Sequence, residues 1–225
     1  MKILYYLFLF YIYSIIGWIL ETAKVSINNK KFVDRGFLIG PYLPIYGSGA
    51  IIMLVYLTQY KNNMLTVLLL GTLLCSILEY FTSYIMEKLF NARWWDYSND
   101  KFNLNGRVCL KNALLFGGAG VVEIYLFQPI IEKIFPTMNT SLVVLTIIFT
   151  IIFVTDLITS LNIVSSFKKT LKSIELKDST EEFAKIVRET LHNKFFQKRL
   201  FFAFPSIDLS KFINIKNDIK ELLKK

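Results

Sequence analysis

Four carboxylates stand inside apolar blocks of this 225-residue sequence: Glu21, Glu79, Glu123 and Asp156. An ionised side chain at the centre of a membrane helix costs about 2.5–3.5 kcal/mol on insertion scales. Each therefore needs a cation, a donor, a proton or a wet cavity. Glu21 sits near the end of its block, with Lys24 one turn on, and can snorkel or pair. Glu79, Glu123 and Asp156 are deeper and have no Lys or Arg at similar depth. Arg35 and Arg107, in loops, are the cations that could fold inward to them. Glu21, Arg35, Glu79, Arg107, Glu123 and Asp156 are thus expected to form a polar interior, against a competing reading as purely structural pairs.

Other chemistries find no footing. No G-x-x-x-x-G-K-[ST] stretch is present, so the chain does not bind ATP in the P-loop manner. The single histidine, His192, lies in the C-terminal tail, which removes a zinc-protease motif and a Ser-His dyad together. No Cys/His metal set exists, and no cofactor is expected. An enzyme built on this chain would have to act through carboxylates, Tyr or Arg, with Asp96, Tyr97 and a membrane Glu as candidates.

The elements that must position these groups are membrane helices. The chain is 54% hydrophobic and only 19% charged, and its mean hydropathy is +0.46. The apolar residues fall in five blocks, each near the ~20 residues that a bilayer requires. They run from about Ile3 to Ala23, Pro41 to Tyr60, Met64 to Leu89, Ala113 to Ile134 and Ser141 to Val164. The first is too long for a signal h-region and is followed by no A-x-A site, so it reads as a retained helix. Lys24, Lys30, Lys31 and Arg35 fill one connection, and Arg93, Lys101, Arg107 and Lys111 another. The other side offers Lys2, Lys61 and Lys133. The positive-inside rule then places the N-terminus outside and the C-terminus in the cytoplasm. The expected fold class is all-α: a five-helix transmembrane domain over residues 1–166 and a cytoplasmic helical tail over 167–225.

That tail holds 14 basic and 8 acidic residues, so most of the +9 net charge lies there. It shows no groove-reading pattern, so no nucleic-acid partner is expected, and anionic lipid headgroups fit it better. A cap-like "DSTEEF" and a turn at Pro205 divide it into helical pieces that could lie on lipid, pack beneath the bundle or dock a partner. Cys75 falls mid-helix and Cys109 in a loop, an unpromising disulfide.

Two hairpins echo each other. "IIGWILETA" and "LLCSILEYF" both end in Ile-Leu-Glu, and each leads to a basic, glycine-bearing loop and a helix with small residues near its start. Such a pair suggests the parallel repeat of several transporter folds. Gly17, Gly36, Gly40, Gly47, Gly49, Gly106, Gly117 and Gly118 read first as helix-packing positions, with Pro41 and Pro44 as helix-start residues. Between the third and fourth blocks, Trp94, Trp95 and Tyr97 suit the headgroup zone. That loop, with Asp96 among its turn formers, could also fold back as a re-entrant segment, pairing Arg107 with a membrane carboxylate.

The motifs "GWILE", "RGFLIGPYLPIYGSG", "LEY" and "WDYS" followed by "FNLNGRVCL" resemble the putative ABC-transporter type IV family, over about residues 5–130. Gly117-Gly118 stands where an aromatic-glycine pair is common in that family. The resemblance implies a multi-pass protein of the bacterial plasma membrane and a permease component whose ATPase is a separate subunit. Lipids and a second copy of the chain are further expected partners. The leading expectation is transport of a solute, lipid-like or anionic. Chemistry on lipid-linked substrates and a scaffold that recruits partners through the tail are the alternatives.

Overall fold

The computed structural model describes residues 1–90 and 93–175, with side chains as far as Ser165. Six α-helices carry the fold: α1 (Lys2–Asn29), α2 (Pro44–Leu57), α3 (Met64–Phe90), α4 (Leu110–Val122), α5 (Gln128–Ile134) and α6 (Thr140–Glu175). A 3-10 turn, Thr58–Tyr60, ends α2, and a π-turn, Glu123–Phe127, joins α4 to α5. The antiparallel strands β1 (Asn103–Leu104) and β2 (Val108–Cys109) pair Asn103 with Cys109 and Leu104 with Val108. The tail expectations beyond Glu175 lie outside the described residues. The backbone of α6 runs unbroken past residue 167, so the compositional boundary there is not a helix end.

Among the described residues, four helices are long and apolar enough to cross a membrane: Lys2–Asn29, Met64–Leu89, Leu110–Ile134 and Thr140–Ser165. Their outward faces are apolar, as in Leu69, Leu73 and Ile77 of α3 or Ile147, Ile148, Ile151 and Ile152 of α6. That surface suits acyl chains, which supply no hydrogen bonds and tolerate only satisfied backbone. The second apolar block is the exception. It was expected to be helical from about Pro41 to Tyr60, yet α2 has 14 residues, about 21 Å at 1.5 Å per residue. The residues before it are used differently. Val33 N–H donates to Ser26 Oγ, Arg35 N–H to Thr22 Oγ1, and Leu43 N–H to Ser14 O, so the segment climbs back along α1 before helix begins. Pro41 lies in this segment, while Pro44 occupies the first turn of α2, where its missing N–H leaves no bond broken.

The π-turn has a visible cause. Pro129 has no N–H to give the carbonyl of Tyr125 and its ring crowds that carbonyl. The helix widens just before it, and Gln128 N–H reaches Glu123 O, five residues back. Such bulges cluster at functional positions.

The two hairpins share one register. Phe10, Ser14 and Glu21 in α1 match Leu68, Thr72 and Glu79 in α3. "GFLIGPYLPIYGSGAII" (36–52) matches "GRVCLKNALLFGGAGVV" (106–122) position for position. The contacts follow the match. A Cβ on Gly47 would overlap Ser14 Oγ and Phe10 O, and one on Gly117 would overlap Thr72 Oγ1 and Leu68 O. Gly36 and Gly106 both have positive φ, 123° and 67°. Thr22 accepts from Arg35 N–H, and Tyr80, its equivalent, accepts from Asn105 Nδ2, the equivalent of Arg35. A contact set reproduced at this many matched positions is the mark of a duplicated unit, with the loop of the second copy longer by residues that carry "RWWDYSND".

Gly118 departs from its neighbours. A Cβ there meets nothing within 4 Å, so its place among the packing glycines is corrected. Gly49 is buried with room for a methyl, since a Cβ there would meet Leu78 at 3.7 Å and Cys75 at 3.9 Å, ordinary contact distances. The main core gathers Leu9, Met53, Leu57 and Val67 with Ile124 and Ile131, where α1, α2, α3 and the α4–α5 helix meet.

Candidate functional site

A cavity of about 120 Å³ lies between the two hairpins. Matched positions line it: Gly17 with Cys75, Tyr46 with Phe116, and Met53 with Glu123. Tyr46 and Phe116 meet edge to face across it at 6.1 Å. The last pair breaks the symmetry, since a carboxylate replaces a thioether. Glu79 also lines the cavity. It is 4% exposed and Glu123 is 7% exposed. Glu79 Oε1 accepts from Tyr97 Oη at 3.1 Å. Glu79 Oε2 and Glu123 Oε1 are buried without a hydrogen-bond partner. Orphaned buried acceptors are rare and expensive, about 1–3 kcal/mol each.

The remaining expected site residues are placed in three other clusters. Glu21 pairs with Arg35 at 3.6 Å and accepts from Tyr46 Oη at 3.0 Å, so both its oxygens are used. Asp156 is a clamp. Its carboxylate accepts from Ile39 N–H at 2.9 Å, Gly40 N–H at 2.7 Å and Ser160 Oγ at 2.9 Å, and from the Tyr42 hydroxyl. It thereby ties the climbing segment to α6.

Arg107 was expected to reach a membrane carboxylate. It reaches Glu87, at 2.7 Å near the end of α3, and Ser83 Oγ at 3.2 Å, with its guanidinium over the Tyr80 and Tyr84 rings. Arg93 shares Glu87 at 3.2 Å and touches Asp96 at 3.6 Å. Asp96 accepts from Ser98, and those bonds hold its carboxyl below the usual range. Asp96 and Arg107 therefore shape the second loop and do not line the cavity. The loop is closed on itself by Trp95 Nε1–H to Arg107 O and Tyr97 N–H to Gly106 O. Tyr97 links it to the cavity. Burial, then the adjacent Glu79 carboxylate, push that phenol well above its ordinary value.

Sequence reasoning named Tyr97 only as a headgroup-zone aromatic and an enzyme candidate beside a membrane Glu, and missed Tyr13, Tyr42 and Tyr46. Tyr46 and Tyr97 serve the two matched glutamates by different routes: Phe116, the equivalent of Tyr46, has no hydroxyl, and Tyr97 from the longer loop supplies the one that Glu79 needs. Tyr13, also on the cavity wall, donates to Gln128 Oε1 at 2.9 Å. A signal for the π-turn at Glu123 was present in Pro129. Cys75 and Cys109 are both free. Among the described residues no cluster of three or more His, Cys, Asp or Glu could hold a metal ion.

The family model described as putative ABC-transporter type IV matches residues 8–161. That match carries through α6 to the clamp at Asp156, beyond the stretch expected from the motifs. No curated protein and no solved structure matches the chain.

Proposed function

The chain belongs to the putative ABC-transporter type IV family, and from that premise we propose that it is the membrane component of a transport system. In this reading the solute passes at the interface of the two hairpins, where the cavity lies. The observation that carries it is that cavity, lined by matched positions of a duplicated unit and holding two buried carboxylates with unused oxygens. Binding sites at the interface of repeats are a recurring arrangement in transporters. The chain has no P-loop, so ATP hydrolysis belongs to a separate subunit in this scheme.

The nature of the wall changes the expected solute. An anion would face Glu79 and Glu123, and among the described residues no Lys or Arg lines the cavity. Asp96 and Tyr97, the candidates of the lipid-chemistry alternative, are hydrogen-bonded or paired with Ser98, Arg93 and Glu79. The topology proposed with this reading has five crossings of the bacterial plasma membrane, N-terminus outside and C-terminus inside. The second crossing joins the climbing segment to the short α2, a use of non-helical backbone that membranes allow when protein buries it. The test is solute movement: proteoliposomes holding the full chain should release trapped small solutes faster than empty liposomes. Equal release would contradict the reading.

A further inference from the structure

The polar atoms that the cavity offers a ligand are acceptors. Tyr46 spends its hydroxyl proton on Glu21, Tyr13 on Gln128, and Tyr97 on Glu79. Glu79 Oε2 and Glu123 Oε1 remain, each buried and unpartnered, on two residues that line the same cavity. A ligand that meets these carboxyls in their ionised form must bring the donors and the opposite charge. The rest of the wall is apolar and aromatic, with the rings of Tyr13, Tyr46, Phe116 and Phe127 available to a cation. A hard divalent ion fits badly, since it needs six or more oxygens and only two carboxylates are present. The volume of about 120 Å³ has room for several waters, which suits a short chain.

We infer that the cavity binds a small organic cation, a protonated amine with a short apolar body, between Glu123 and Glu79. The ammonium donates to the two free oxygens, and the apolar body lies against Met53 and the rings. Glu123 is the specificity-determining residue, because its counterpart in the first hairpin is Met53 and only one half of the duplicated unit provides this charge. The inference rests on the transport reading for its purpose, but binding can be measured without it.

The experiment is calorimetric titration of the full-length protein in detergent with n-butylammonium, n-butanol and butyrate. Butylammonium should bind saturably and at least tenfold more tightly than butanol, and butyrate should not bind. Glu123→Gln and Glu79→Gln should each weaken butylammonium at least fivefold, with their melting curves recorded as a check of folding. If either variant does not fold, protection of the wild-type Cys75 thiol decides. Butylammonium should slow its alkylation by N-ethylmaleimide, and butanol at the same concentration should not. Equal binding of butanol and butylammonium, binding of butyrate, or folded Gln variants with unchanged affinity would overturn the inference. Amine flux from proteoliposomes is measured alongside. Amine binding without flux sinks the transport reading and keeps the site, whereas failure to bind amine sinks the site whatever else is transported.

Discussion

At the scale of single residues, Glu21 and Asp156 have both oxygens engaged, whereas Glu79 Oε2, Glu123 Oε1 and the Ser14 hydroxyl are buried without a partner. The Glu21–Arg35 pair was legible, because a shallow carboxylate and a loop arginine in a short connection can scarcely avoid each other. The partners of Glu79 were not, since a hydroxyl's direction depends on a loop closing elsewhere. Glu21→Gln and Arg35→Gln should each destabilise the detergent-solubilised protein by about 1–2 kcal/mol, less than a fully buried pair because both side chains keep some exposure. The double variant should recover part of that loss, read as a coupling in a thermal-melt cycle. Additive losses would show that the 3.6 Å contact carries no energy. Tyr97→Phe leaves both oxygens of Glu79 without a donor. A loss of about 1–3 kcal/mol is expected, and an unchanged melting temperature would place water or another group on that carboxylate.

The elements show why composition alone misjudged the second helix. Apolar residues mark what is buried, and the climbing segment before α2 is buried without being helical: Leu38 is 1% exposed. Helix there would leave Asp156 without the N–H groups of Ile39 and Gly40 that it binds. Asp156→Asn should therefore loosen this segment, seen as faster amide exchange at residues 36–43 with little change in α3. Unchanged exchange would mean that the segment is held by its contacts to α1 alone. Adjacent glycines in α4 give a sharper comparison. Gly117→Ala drives a methyl into Thr72 and Leu68 O, while Gly118→Ala points into open space. The first should lower stability by about 1–3 kcal/mol as overpacking does, and the second should be neutral or slightly stabilising. Similar effects at both positions would contradict the packing of α4 on α3.

For the whole molecule, the sequence echo around Ile-Leu-Glu hinted at a repeat, but its reach was hidden by unlike residue types at matched positions, such as Arg35 with Asn105 or Met53 with Glu123. Shared contacts exposed it. The proposed orientation predicts that an impermeant maleimide labels cysteine at Asn62, between α2 and α3, in intact cells and does not label cysteine at Lys101. Reversed labelling would invert the topology. The most direct test of the account uses a thiol already on the cavity wall, Cys75, in a Cys109→Ser background. A cavity that is wet and selects positive charge predicts that a cationic ethylammonium methanethiosulfonate modifies Cys75 at least tenfold faster than its anionic ethylsulfonate counterpart, and that Glu123→Gln narrows the ratio. Equal rates for the two reagents, or a thiol inert to both, would contradict it.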